Sequence, residues 1–343
     1  MMKPWLWIPP KLAHDLSSVA LQIYSALRMG FEDQSIPIWQ PLDWRGLHFP
    51  NRLGIAGGVD KDAALIDEWW SLGCGFIEIG TITPRAQDPN PGKIIDRNLG
   101  ELALWNRMGF PGSGVNIVRA NLLDVAKPWP TPVFANIGKN RDTMNQNAHL
   151  DYQICMNELG DVVDGFIINI SSPNTSGLRE LLLPSNLKIF LAAVVRARDE
   201  SPAPKTPLIL KISPDMHDEE IARVTETALK LGLDGFIATN TTLARSHPSP
   251  FPAEGGVSGQ PLAQRSKAVL ERLAPLLDER HLLISAGGVM SAEDVFERLE
   301  LGADLVQIYT ALIFEGPGFF RRVAKSAKSL EARSFASHPF PGA

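Results

Sequence analysis

Short, almost wholly apolar runs recur along the chain from residue 53 onward, separated by longer segments of helical periodicity. The runs are Leu53–Ala56, Phe76–Gly80, Val133–Ile137, Gly165–Ile170, Leu208–Ile212, Gly235–Thr239, Leu282–Ala286 and Asp304–Tyr309, each bounded by Gly, Pro or Asp. Apolar residues at nearly every position, rather than every second one, mark parallel strands covered on both faces. The clearest intervening helix is predicted over 218–231. Ile221, Val224, Ala228 and Leu231 share one face, Asp218 is the expected cap and Gly232 the stop. Eight alternating units predict an α/β fold, a (β/α)8 TIM barrel behind a small N-terminal helical extension. A doubly wound open sheet is the alternative. The strand count and the lack of an early GxGxxG favour the barrel.

A barrel of this kind carries its site at the C-terminal ends of the strands. Those ends are rich in amides and hydroxyls: Thr81, Asn136, Asn169, Ser172, Asn174, Thr239, Asn240, Thr241 and Thr310. Turn chemistry accounts for part of this set. It does not account for Asn136, Asn169 and Lys211, which lie inside apolar runs, where an unpaired polar group costs a few kcal/mol. Neutral amides and two lysines make a poor metal site, and the histidines avoid the strand ends, so no metal is expected. Gly287-Gly288 and Tyr309-Thr310 follow the last two strands, the usual phosphate position of such barrels. An anionic, hydrogen-bonding heterocycle fits this mouth.

Composition narrows the class. At 343 residues, the chain exceeds the ~250–300 at which one core stops growing. It divides on paper into an extension (1–40), a barrel (41–331) and a tail (332–343). Hydrophobic residues at 44% and charged residues at 21% indicate an ordinary globular protein. Two cysteines exclude a disulfide framework and a Cys-ligated cluster within this chain. A net charge of −5 without a Lys/Arg block argues against nucleic acid. No apolar run reaches the ~18–20 residues of a membrane span. The start of the chain is interrupted by Pro4, Pro9 and Pro10 and does not read as a secretory signal, so a cytoplasmic setting is expected.

The segments IGTITPRAQ, NRMGFPGSG, NIGKN, INISSPNTSGLR, IATNTT, GGVSGQPL and LVQIYTALIFEGP resemble the dihydroorotate dehydrogenases over about residues 40–325. The resemblance implies a flavoprotein that holds FMN on the barrel mouth and oxidises (S)-dihydroorotate to orotate in pyrimidine synthesis. Ser172, where the cytosolic class has a cysteine base, and the N-terminal extension resemble the membrane-associated, quinone-reducing class 2. By the same resemblance, Ser172 takes the C5 proton while the C6 hydride passes to the flavin. Serine is a weak base, so a hydrogen-bonded route through Thr175 or a water is needed. Cofactor contacts are implied for Gly57, Gly58, Val59, Asp60, Lys61, Thr81, Asn136, Asn169, Thr239, Gly259, Gly288, Tyr309 and Thr310. Lys211 is implied as the cation beside the flavin N1 and C2 carbonyl. Substrate contacts are implied for Lys61, Asn106, Arg107, Met108, Gly109, Phe110, Asn169, Asn174, Asn240 and Thr241. Two bland or rival readings of Lys211 are a snorkelling surface lysine and a Schiff-base lysine of a lyase.

The resemblance also implies partners: a quinone, a membrane surface on the cytoplasmic side of the cell membrane, no iron–sulfur protein, and a monomer or homodimer. A soluble acceptor, fumarate or NAD, is the alternative. In the extension, Leu12, Leu16, Val19, Ala20, Ile23 and Leu27 fall on one helical face, with Trp5, Trp7, Tyr24, Phe31 and basic residues nearby. Periodicity alone favours packing of that face on the barrel; the resemblance favours a membrane surface. The chain departs from the family at Gly57, at Ala311, and in the segment PGKIIDRNLGELALW. There Ile95 stands where the first of two arginines is usual and Arg97 keeps the second, beside the quinone path. LDWRGLHF resembles the family's hairpin below the barrel floor.

Overall fold

The structure, a computed structural model, describes residues 3–28 and 35–337. Eight parallel strands close into a barrel: β1 (Leu53–Asp60), β2 (Phe76–Ile82), β3 (Val133–Ile137), β4 (Gly165–Asn169), β5 (Leu208–Lys211), β6 (Gly235–Ala238), β7 (Leu282–Ala286) and β8 (Leu305–Ile308). Every expected run is a strand, and β8 closes on β1 through Val306 against Leu53 and Ile308 against Ile55. β1 runs on to Asp60 through an irregularity in its pairing between Ile55 and Asp60, where Gly58 takes φ +94°. The helix expected over 218–231 is capped one position earlier than Asp218: His217 is the N-cap, its amide donating to Glu220 Oε2 at 2.7 Å, and Asp218 is the first helical residue.

The inside of the barrel is layered. The bottom layer is apolar: Phe76, Phe134, Ile167, Ile209, Ile237, Ile284 and Leu305. A hairpin, Leu42–Trp44 with Leu47–Phe49, plugs the floor. Phe49 is fully buried there and stacks near Phe134 at 6.2 Å between ring centroids. Side chains in a strand alternate faces, so the next inward residue is two positions on. That step gives Glu78, Asn136, Asn169, Lys211, Thr239, Ala286 and Gln307. An apolar floor thus supports a polar ceiling, and the ceiling is the base of the mouth.

Two further pieces frame the mouth. A three-stranded antiparallel sheet of Ile95–Asn98, Ala103–Asn106 and Gly256–Gly259 stands over it. The helix Pro10–Arg28 docks beside that sheet and against the helix Ile66–Leu72. It docks by the side that carries Leu21 and Ser25: Leu21 packs on the core, and Ser25 is buried, bonded to Ser71 Oγ at 2.8 Å. The apolar stripe faces solvent, with Leu16 48%, Val19 53%, Ile23 56% and Leu27 64% exposed. Packing of that stripe on the barrel is therefore not what the fold does. Phe31, counted with the extension's aromatic residues, and the end of the tail from 338 lie outside the described residues. The last helix, Phe319–Ser337, continues into the segment read as tail.

Candidate active site

The mouth holds a cavity with about 1100 Å³ of atom-free space, its open side included. Its base is a continuous hydrogen-bonded chain of side chains. Lys211 Nζ donates to Glu78 Oε1 at 2.8 Å, and Asn136 Nδ2 donates to the same oxygen at 2.5 Å. Asn136 Oδ1 accepts from Asn169 Nδ2 at 3.1 Å, and Asn169 Oδ1 accepts from Asn240 Nδ2 at 3.2 Å. Asn169 Nδ2 also donates to Thr81 Oγ1 at 3.0 Å, and Asn240 Nδ2 to Ser171 Oγ at 3.1 Å. A carboxylate can only accept, so Glu78 fixes which way Asn136 points, and each amide then fixes the next. Gly57 belongs to this arrangement: a β-carbon there would stand 2.3 Å from Glu78 Oε1.

Ser172 lies on the loop after β4, nearly buried and on the cavity wall. Its Oγ accepts the Asn174 amide at 3.2 Å, while Asn174 Nδ2 donates to Asn106 Oδ1 at 2.8 Å. The hydroxyl of Thr175 is buried with no partner among the described residues, which leaves it available to a proton route. Lys61 reaches the cavity from the end of β1. Burial lowers its pKa, while Asp62 and Asp60 act to raise it. Its Nζ stands 3.5 Å from His14 Nε2, the point at which the N-terminal helix meets the site. Tyr309, partly buried beside Gly58, has its phenol pushed up to about 12 by desolvation and stays neutral.

Nineteen of the anticipated residues converge on this cavity: Gly57, Gly58, Lys61, Thr81, Asn106, Met108, Gly109, Phe110, Asn136, Asn169, Ser172, Asn174, Lys211, Thr239, Asn240, Thr241, Gly288, Tyr309 and Thr310. Four stand apart from its lining. Val59 packs outward on the core between strands and helices. Asp60 accepts the amides of Ala64 and Leu65 at 2.9 and 3.0 Å and closes the loop after β1. Arg107 turns to Pro91 O at 2.6 Å and Glu254 at 3.0 Å. Gly259 lies under Leu102 O, and its neighbour Ser258 lines the cavity instead. Sequence reasoning did not single out Glu78, Gln307, Leu104 or Trp105. Gln307 lines the cavity with both amide atoms buried and unpartnered.

The departures have structural answers. Ile95 lines the cavity. Arg97 donates to the carbonyls of Leu6, at 2.6 Å, and of Ile8, and so holds the first turn of the extension against the mouth sheet. Ala311 sits within the helix Thr310–Glu315, where a β-carbon is unstrained. Lys211 is 5% exposed and turned inward, so it does not snorkel. Its nitrogen is committed to a buried carboxylate, which disfavours a free nucleophilic amine. Among the described residues no group of His, Cys, Asp and Glu could hold a metal.

The family model for dihydroorotate dehydrogenase matches residues 42–330. The chain belongs to the dihydroorotate dehydrogenases. It is 39% identical to the dihydroorotate dehydrogenase (quinone) of Acidithiobacillus ferrooxidans, over 96% of this chain and 94% of that protein. It is 42% identical to the protein of the same name in Halorhodospira halophila, over 82% of this chain and 84% of that one. Among solved structures it resembles the ferulenol complex of DHODH from Eimeria tenella. The TM-score is 0.82 at 30% identity, over 95% of this chain and 93% of that chain.

Proposed function

We propose that this chain catalyses FMN-dependent oxidation of (S)-dihydroorotate to orotate with a quinone as acceptor, a step of pyrimidine biosynthesis. The observation that carries the reading is the convergence of Ser172, Lys61, Lys211 and the amide chain on one cavity at the barrel mouth. Family membership supports the quinone as acceptor and FMN as cofactor.

The residues present fit a flavin. A planar ring needs backbone that approaches closely, and Gly57 and Gly58 supply it on the cavity wall. The unpartnered Gln307 amide and the Asn136–Asn169 pair offer donors and acceptors to a heteroaromatic edge. Bound FMN supplies the two-electron chemistry. Lys211 then places a cation at the base of the cavity, where it stabilises negative charge. Ser172 is the residue that removes the substrate proton, with Thr175 next on the route out. Lys61 meets the substrate carboxylate, while Asn106, Asn174, Asn240 and Thr241 read the ring edges.

The extension serves the acceptor side. Leu6 packs with Leu104 and Phe314, and Trp5, Tyr309 and Ile313 adjoin them. Leu104 and Tyr309 also line the cavity, so this apolar cluster links extension to site. The exposed stripe of the helix Pro10–Arg28 rests on a membrane surface, placing the protein as a peripheral protein on the cytoplasmic side. No helix of the described residues is long and apolar enough to cross a membrane. The test is steady-state oxidation of dihydroorotate with a quinone, fumarate and NAD compared as acceptors. Turnover with quinone well above the other two is expected; turnover only with fumarate or NAD would refute the acceptor reading.

A further inference from the structure

Arg298 is a buried cation with no direct ion pair among the described residues. It lies on the helix Ala292–Glu300, is 1% exposed, and bonds to no carboxylate among the described residues. Asp294, Glu297 and Glu271 act on it only at longer range, and two of them are bonded elsewhere. Glu297 pairs with Lys267 at 2.7 Å, and Asp294 accepts the amides of Met290 and Ser291 at 2.8 and 2.9 Å. Every acceptor of the guanidinium is neutral. Nη1 donates to Ser285 Oγ at 3.2 Å; Nη2 donates to Ala263 O at 3.0 Å, Ser266 Oγ at 2.9 Å and Gly287 O at 3.1 Å; Nε has no partner. Burial brings the guanidinium down to about 10, so it remains a cation at neutral pH. A buried charge left in this state is costly unless something opposite in sign arrives nearby.

The carbonyl that Arg298 grips belongs to the cavity wall, which Gly287 and Gly288 line. Gly287 O is held twice from below, by Arg298 and by Ser266 Oγ at 2.7 Å. In a trans peptide the carbonyl and the following N–H point in opposite directions. Anchoring the carbonyl of Gly287 downward therefore turns the Gly288 N–H upward, where Gly288 lines the cavity. Neither residue can be replaced freely. Gly288 has φ +73°, and a β-carbon there would stand 2.2 Å from Ala263 Cα.

We propose that Arg298 is the positioning residue of an anion cradle. Without touching the ligand, it fixes the Gly287–Gly288 peptide and supplies the counter-charge for the phosphate monoester of the cofactor. The inference rests on the reading that the cavity takes FMN, and it adds a residue to which no contact with the cofactor points.

The test compares two ligands that differ only in the phosphate. Apoprotein is titrated with FMN and with riboflavin, reading quenching of flavin fluorescence, for the wild type, Arg298→Met and Arg298→Lys. Arg298→Met is expected to weaken FMN at least about tenfold while riboflavin changes little. Arg298→Lys, which keeps the charge, should recover most of the loss. Should the Met variant not fold, Arg298→Gln takes its place with the same expectation. Equal weakening of FMN and riboflavin would make Arg298 a packing residue and overturn the proposal, as would unchanged FMN affinity. Wild-type protein that binds no FMN would overturn the cofactor reading itself, a distinct outcome.

Discussion

The Lys211 ammonium and the Glu78 carboxylate stand 2.8 Å apart inside the barrel, with 7% and 0% of their side chains exposed. The pair lies one layer above a floor of Phe, Ile and Leu, so water does not reach it from below. Glu78 Oε2 has no partner among the described residues. The carboxylate is thus held by Lys211 and Asn136 alone, and it orients the whole amide chain.

Breaking such a pair on one side costs more than removing both charges. Glu78→Leu is expected to destabilise the apoprotein by about 3–5 kcal/mol, since it leaves a buried cation unpaired. Lys211→Met alone should be comparably damaging. The combined Glu78→Leu, Lys211→Met variant should recover a large part of the loss, because two apolar groups of similar volume desolvate cheaply. Urea denaturation of the four proteins completes the cycle. Additive losses would show that the two groups do not act as a unit.

Ser172 tests the chemistry apart from the fold. Ser172→Ala removes one hydroxyl that accepts a single loop amide, so the cavity should survive. Dihydroorotate oxidation is expected to fall by about 10²–10⁴-fold, the usual contribution of a positioned base. Bound flavin, read from its visible absorbance, should stay at the wild-type level. Near-normal turnover would remove Ser172 from the role of base.

The barrel and most of its mouth are legible in the sequence for one reason. Covered parallel strands are apolar at nearly every position, so a polar residue inside one is conspicuous, as Asn136, Asn169 and Lys211 are. Glu78 and Gln307 obey the same rule. Each lies two residues beyond an inward apolar residue, Phe76 and Leu305, and counting in steps of two from the floor would have found them. The mouth sheet was harder to see. Ile95–Asn98, Ala103–Asn106 and Gly256–Gly259 are short, two-sided and partly polar, and their pairing joins segments about 150 residues apart, which no local pattern encodes. Arg298 is hidden for a further reason: its spacing from Val295 puts it on the buried face, but an arginine ordinarily reads as exposed, and only packing shows it buried.

The extension's apolar stripe is exposed, so its contribution can be separated from folding. Leu16→Glu with Ile23→Glu should leave the barrel's thermal stability unchanged, since both positions are about half exposed, at 48% and 56%. Co-sedimentation with anionic lipid vesicles should fall sharply, because each change removes apolar contact and adds a repelled charge. Quinone reduction in the presence of vesicles should drop more than reduction of a soluble dye. Equal vesicle binding by variant and wild type would show that this face does not meet lipid.

His14 links the same helix to the site through pH. Its pKa is lowered to about 4, first by burial and then by the charge of Lys61, while Asp15 opposes the shift and Lys11 adds to it. In the unfolded chain a histidine titrates near 6.5. Between about 4 and 6.5 the unfolded state therefore binds more protons than the folded one, and stability falls as pH drops through that window. Above 6.5 the term is constant. Wild type and His14→Gln should show a stability difference that is flat from pH 7 to 8 and moves steadily against the wild type as pH falls from 6.5 toward 4.5. Urea midpoints measured across that range check it. Taking the difference between the two proteins cancels the carboxylates that titrate in both, and a difference that does not vary with pH would place His14 in solvent rather than against Lys61.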